Sequence, residues 1–125
     1  ATGWAAYTRL GTVRLLQDRW AEAQNAFSQA LREQPAHVEA RLGLVESLLG
    51  QEEPSLALEM VEPLLNLDVA DPWILCAFAT RNLGQVEDCR LFLEQAAQRM
   101  EKGLFAPHRR VYVRQLQQNL ATLAS

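Results

Sequence analysis

Lysine is almost absent from this chain: Lys102 stands alone against eleven arginines among 125 residues. With a net charge of −3 and a pI near 5.4, an overall basic nucleic-acid binder is excluded, and the arginine excess fits GC-rich coding. Cysteine is scarce as well, and Cys76 and Cys89 form neither a metal-ligand spacing nor a disulfide framework. Long apolar runs are missing. The longest candidate, residues 69–79, contains Asp71 and Pro72, and nothing approaches the ~20 residues of a membrane span. β-Branched residues are sparse and no stretch alternates apolar with polar, which excludes strands. Six glycines and five prolines are too few for a low-complexity or collagen-like chain. No charged segment followed by an apolar core opens the sequence, so no signal peptide is visible. The start at Ala1-Thr2-Gly3 fits an excised fragment, in which case the missing signal leaves the compartment open.

What remains is helical. Hydrophobic residues make up 49% and charged residues 22%, the balance of a globular domain, and a chain of this length buries roughly two-thirds of its unfolded surface without disulfide or metal. The breakers Gly11, Pro35, Gly50, Pro54, Pro72, Gly84, Gly103 and Pro107 separate helix-length segments. Helices are expected near 4–17, 20–34, 37–50, 54–67, 71–84, 86–102 and 107–123, with connections short enough to make neighbours antiparallel. Pro63 lies inside the fourth segment. It removes a backbone donor and crowds the Glu59 carbonyl, so a kink or early end is expected there. Pro54 stands in a first turn, where it is tolerated.

The segment 20–31 repeats. Shifted by 34 residues, Ala57, Val61, Leu64 and Leu65 take the places of Ala23, Phe27, Ala30 and Leu31; a further 32 residues on, Cys89, Leu93, Ala96 and Ala97 do so. A small residue followed four later by a large one is what a close helix crossing needs. A hairpin of two helices cannot bury its own apolar face, so hairpins stack.

In the first copy, Tyr7-x-x-Leu10-Gly11, Ala23-x-x-x-Phe27-x-x-Ala30 and Pro35 resemble the signature of the tetratricopeptide repeat family. The second copy departs, with Arg41 at the aromatic place and Leu44-Val45 at the Leu-Gly pair. The third has Trp73 and Cys76-Ala77 at those places and lacks the closing proline. The resemblance implies an all-α, right-handed superhelical solenoid of three antiparallel hairpins. Its repeats would cover about 4–37, 38–69 and 70–103, with residues 104–125 as a C-terminal capping helix. That helix would turn Val113, Leu116, Leu120 and Leu123 inward and Arg110, Arg114, Gln117, Gln118 and Asn119 outward.

Candidate chemistry is thin. His37 and His108 open helices with no nucleophile or carboxylate arranged beside them, so an enzyme, a metal and a cofactor are all unexpected. His108-Arg109-Arg110 is the exception to a bland reading, because cations at a helix N-terminus oppose its dipole; such a cluster can be kept for an acidic partner. Cys76 and Cys89 occupy small-residue places of one hairpin and are expected in the core, as free thiols or as a redox pair. Trp20 and Trp73 are expected in the core, and Trp4 at a frayed, exposed end. Charge is segregated. Residues 42–80 hold no Lys or Arg but carry Glu46, Glu52, Glu53, Glu59, Glu62, Asp68 and Asp71, whereas Arg99, Lys102, Arg109, Arg110 and Arg114 make the C-terminal part basic. Solvated helix faces explain this pattern; so does electrostatic steering of a basic partner.

Residues 73–79 are apolar on every side, so either neighbours bury them all or one face borders a groove. In the resembled family the first helices of successive repeats line a concave surface that takes a peptide or helix. By position, that surface would present Thr8 and Thr12, then Leu42, Glu46 and Leu49, then Ile74, Phe78 and Arg81. The Lys, Asn and Arg with which some members grip a C-terminal carboxylate are replaced by Thr8, Thr12, Gly43, Asp71 and Leu75, which disfavours that ligand. The expected function is non-catalytic binding of a protein or peptide, with Leu42, Ile74 and Phe78 as anchors and Phe78 foremost, without nucleic-acid partner or membrane insertion. Phe78→Ala should then abolish capture and leave melting intact. Other readings are a scaffolding segment of a longer chain whose further repeats adjoin it, or a small bacterial secretion-type chaperone. The capping helix could also fold back and fill the groove.

Overall fold

The computed structural model describes residues 3–103 and 105–124, the side chains of residues 123 and 124 excepted; Leu123 of the expected stripe therefore lies outside the described side chains. All regular structure among these residues is helical. The helices are α1 (Gly3–Leu16), α2 (Trp20–Glu33), α3 (Val38–Gly50), α4 (Pro54–Val61), α5 (Ala70–Asn82), α6 (Val86–Lys102) and α7 (Arg110–Ala124). Their limits fall close to the expected ones. As Pro63 demands, the α-helix of the fourth segment stops at Val61, and the chain continues as a 3-10 helix over Glu62–Leu67. No helix among the described residues is long and apolar enough to cross a membrane.

The turn between the two helices of a hairpin is built the same way three times. Arg19, Glu53 and Gln85 donate their backbone N–H to the carbonyls of Arg14, Leu48 and Thr80, each at 2.9 Å. The preceding residues Asp18, Glu52 and Gly84 hold positive φ of 58°, 61° and 77°. This is a left-handed C-terminal cap. It places α2, α4 and α6 at the same point after their partners, and it recurs at the repeat spacing found in the sequence.

The chain divides into two compact units, Ala1–Met60 and Val61–Ser125. In the first, α1, α2 and α3 pack on one another around Leu15, Ala23, Phe27, Ala30, Ala40 and Leu44, with Trp4, Trp20, Leu31 and Met60 against them. Two glycines set the distances. A Cβ added at Gly11 or Gly43 would lie 2.7 or 2.3 Å from the Phe27 ring, so this ring is seated between two bare backbones. A Cβ at Gly50 would lie 2.1 Å from the indole of Trp20. Trp4 is no frayed end: it packs on this core and meets His37 edge-on at 4.8 Å between ring centroids.

In the second unit, α5, α6 and α7 pack together around two clusters. Ala70, Ile74, Ala96 and Val113 form one, bordered by Trp73, Leu93, Met100, Phe105 and Tyr112. Ala77, Cys89 and Leu116 form the other, bordered by Phe78, Phe92, Leu93 and Leu120. The small residues expected at the crossings, Ala23, Ala57 and Cys89, are all fully buried.

Candidate protein-interaction surface

The expected groove residues fall into different environments. On α1, Thr8 is buried and donates its hydroxyl to the Trp4 carbonyl, and half-buried Thr12 donates to that of Thr8. On α3, Leu42, Glu46 and Leu49 are all buried, as is every residue from 42 to 49. On α5, Ile74 is fully buried between Ala70, Ala96 and Val113. These four side chains, expected to line a groove, are buried. Helices apolar all round are buried all round, and at Ile74 the covering element is α7.

Phe78 and Arg81 are half-buried, and they too face α7. The Phe78 ring lies 5.0 Å from that of Tyr112. The Arg81 guanidinium sits 4.9 Å from the Phe78 centroid and donates to Asn119 Oδ1 at 2.6 Å. The capping helix thus folds onto the α5 face. Phe78→Ala consequently removes core packing and is expected to cost about 2 kcal/mol, contrary to the expectation of unchanged melting.

The cationic cluster before α7 has an internal explanation. Arg109 is fully buried and ion-pairs with Asp71 in the first turn of α5, whose Oδ2 also accepts the Ala106 N–H at 3.2 Å. Arg110 covers the Phe105 ring at 5.1 Å. Nearby, Arg99 bridges Asp68 at 2.8 Å and lies over the Trp73 ring at 4.4 Å. Asp68 and Asp71 of the acidic window therefore meet Arg99 and Arg109 of the basic C-terminal set within the second unit. With Glu46 buried as well, Glu52, Glu53, Glu59, Glu62 and the Arg99-paired Asp68 are its exposed carboxylates. Nothing in the local sequence paired Asp71 with Arg109; the signal was the cationic helix start, which lacked a counter-charge nearby.

Both thiols are free and buried. Burial, aided by the Glu62 carboxylate, pushes Cys76 up to about 12. Burial also raises Cys89, against Arg81, Arg90 and a hydrogen bond with Thr80. Thiols held protonated are inert, which favours the core reading over the redox pair. Among the described residues no three His, Cys, Asp or Glu gather to hold a metal. Exposed apolar side chains remain: Tyr7, Leu10, Val13 and Leu16 on α1, Leu91 on α6 and Val111 on α7.

Helix pairs joined by a turn repeated three times, with buried small residues at the same spacing, define a helical-repeat protein. A tetratricopeptide repeat family model matches residues 14–74, just under half of the chain, and this segment is similar to the repeats of that family. No curated protein sequence matches it. Among solved structures it is similar to a TPR-like protein of Chlorobium tepidum (TM-score 0.80, 15% identity, 99% of this chain and 96% of that one). It is also similar to the Sgt2 TPR domain from Aspergillus fumigatus (0.77, 11%, 99% and 83%) and to the first TPR domain of the human RPAP3 protein (0.75, 15%, 97% and 94%). These likenesses establish the fold. Domains of this family are in general non-catalytic modules for protein–protein interaction.

Proposed function

We propose that this chain binds a peptide or helix of a protein partner and performs no chemistry of its own. Its three hairpins would be the repeats 4–37, 38–69 and 70–103, with 104–125 as the cap. The observation that carries the reading is the half-buried pair Phe78 and Arg81, an aromatic ring stacked with a guanidinium on α5, residue types enriched in protein interfaces. A partner reaches them by joining or replacing the contacts made by Tyr112 and Asn119. The test is affinity capture from the source cell with the intact chain and with Arg81→Glu, read by quantitative mass spectrometry alongside thermal melting. One partner should be enriched by the native chain and lost with the variant at a temperature well below the variant's melting point, which falls because the Asn119 contact is gone. Equal recovery by both baits would remove α5 from the binding surface.

A second reading, a scaffolding segment with neighbouring repeats, is favoured by the α1 stripe of Tyr7, Leu10, Val13 and Leu16, all exposed.

A further inference from the structure

In the first unit, Met60 of α4 and Leu31 of α2 both pack against the core cluster that includes Phe27 and Ala30 of α2 and Ala40 and Leu44 of α3. The sequence repeat puts Leu93, Ala96 and Ala97 of α6 in the places of Phe27, Ala30 and Leu31, and α7 follows α6 as α3 follows α2. The equivalent place between α6 and α7 is open. One cleft of about 290 Å³ runs over Leu93, Ala97, Met100 and Val113. A second, of about 260 Å³, shares Leu93 and Ala97 and ends at Leu120. Together they form a channel along α6 from Arg90 to Glu101. At 1.5 Å per residue that is about 17 Å, the length of three helical turns. Ala97 is exposed at its centre, a small residue where a helix crossing would need one.

The two walls differ in charge. The α6 side carries exposed Glu94 and Glu101, seven residues apart and so on one face; Arg90, at the end of the channel, is paired with Glu87 at 3.8 Å, which offsets its charge. The α7 side carries exposed Arg110 and Gln117, with Arg114 between them on the same face. We propose that the α6/α7 channel is a docking site for an amphipathic helix of a protein partner, seated where the second helix of a further hairpin would lie. The partner helix presents leucine-like anchors at i, i+3 or i+4, and i+7 to Leu93, Ala97 and Val113. It turns a Lys/Arg flank toward α6 and an Asp/Glu flank toward α7. Reversing the helix would exchange the flanks, so the charge pattern also sets its direction. The site presupposes that the chain is a protein-binding module but lies on a different face from Phe78 and Arg81.

The test uses the intact chain and a fluorescent helical peptide of about 12 residues, with a leucine stripe, one arginine flank and one glutamate flank, read by anisotropy. Ala97→Arg, at an exposed position, should leave melting unchanged and weaken binding by about tenfold or more; Leu91→Arg, outside the channel, should not alter it. Glu94→Arg with Glu101→Arg should weaken that peptide and strengthen one carrying glutamate on both flanks. Unchanged affinity on Ala97→Arg, or indifference to the charge reversal, overturns the proposal. Sedimentation showing that the chain alone pairs through this face, with Ala97→Arg releasing monomers, also overturns it, because a second copy would then be the occupant. Peptide binding lost on Arg81→Glu but kept on Ala97→Arg would preserve the α5 reading and remove this one.

Discussion

In the first unit an aromatic ring, Phe27, fills the space between the bare backbones of Gly11 and Gly43. In the second, the corresponding residue of α6 is Leu93, and α7 is held instead by a buried ion pair, Asp71 with Arg109, and by the contact of Tyr112 with Phe78. One interface depends on volume and the other on charge. The lesson is that a repeat preserves the position of a crossing more strictly than the chemistry that closes it. The two closures should fail differently.

The largest effect is expected in the second unit. Arg109→Ala leaves Asp71 buried without its partner and should cost about 3–5 kcal/mol, read by urea unfolding followed through tryptophan fluorescence. Replacing both members, Asp71→Leu with Arg109→Leu, should be much milder, because no unpaired charge then remains inside. Equal losses would mean that Arg109 acts by packing alone. In the first unit, Gly43→Ala should cost about 1–3 kcal/mol by overpacking, with no dependence on salt. The smallest effect concerns the turns that both units share. Glu52 holds a left-handed conformation in which Gly84 serves the third hairpin, so Glu52→Gly should stabilise by up to about 1 kcal/mol. A loss of stability there would show that the Glu52 side chain contributes more than its backbone costs.

Much of the fold was legible in the sequence, because helix limits follow from local signals: apolar period, proline, and the small–large spacing around Ala23, Ala57 and Cys89. Pro63 ended its α-helix for the reason its ring gives. The left-handed Glu52 was not legible, since glutamate does not announce positive φ, whereas Asp18 is of a type that tolerates it. The surface was harder to read. Leu42, Ile74 and Phe78 are apolar whether a groove or a covering helix meets them, and periodicity cannot tell the two apart. Arg109 was legible as an anomaly but not as an answer, because its counter-charge lies 38 residues away in sequence.

The claim beneath the fold is that Phe27 meets Gly43 through a contact in which neither side can grow. A double-mutant cycle of Gly43→Ala and Phe27→Leu measures it by equilibrium unfolding. If the ring is what the added methyl strikes, the double variant should be more stable than the two single losses predict, by about 1 kcal/mol or more. Strict additivity would contradict it.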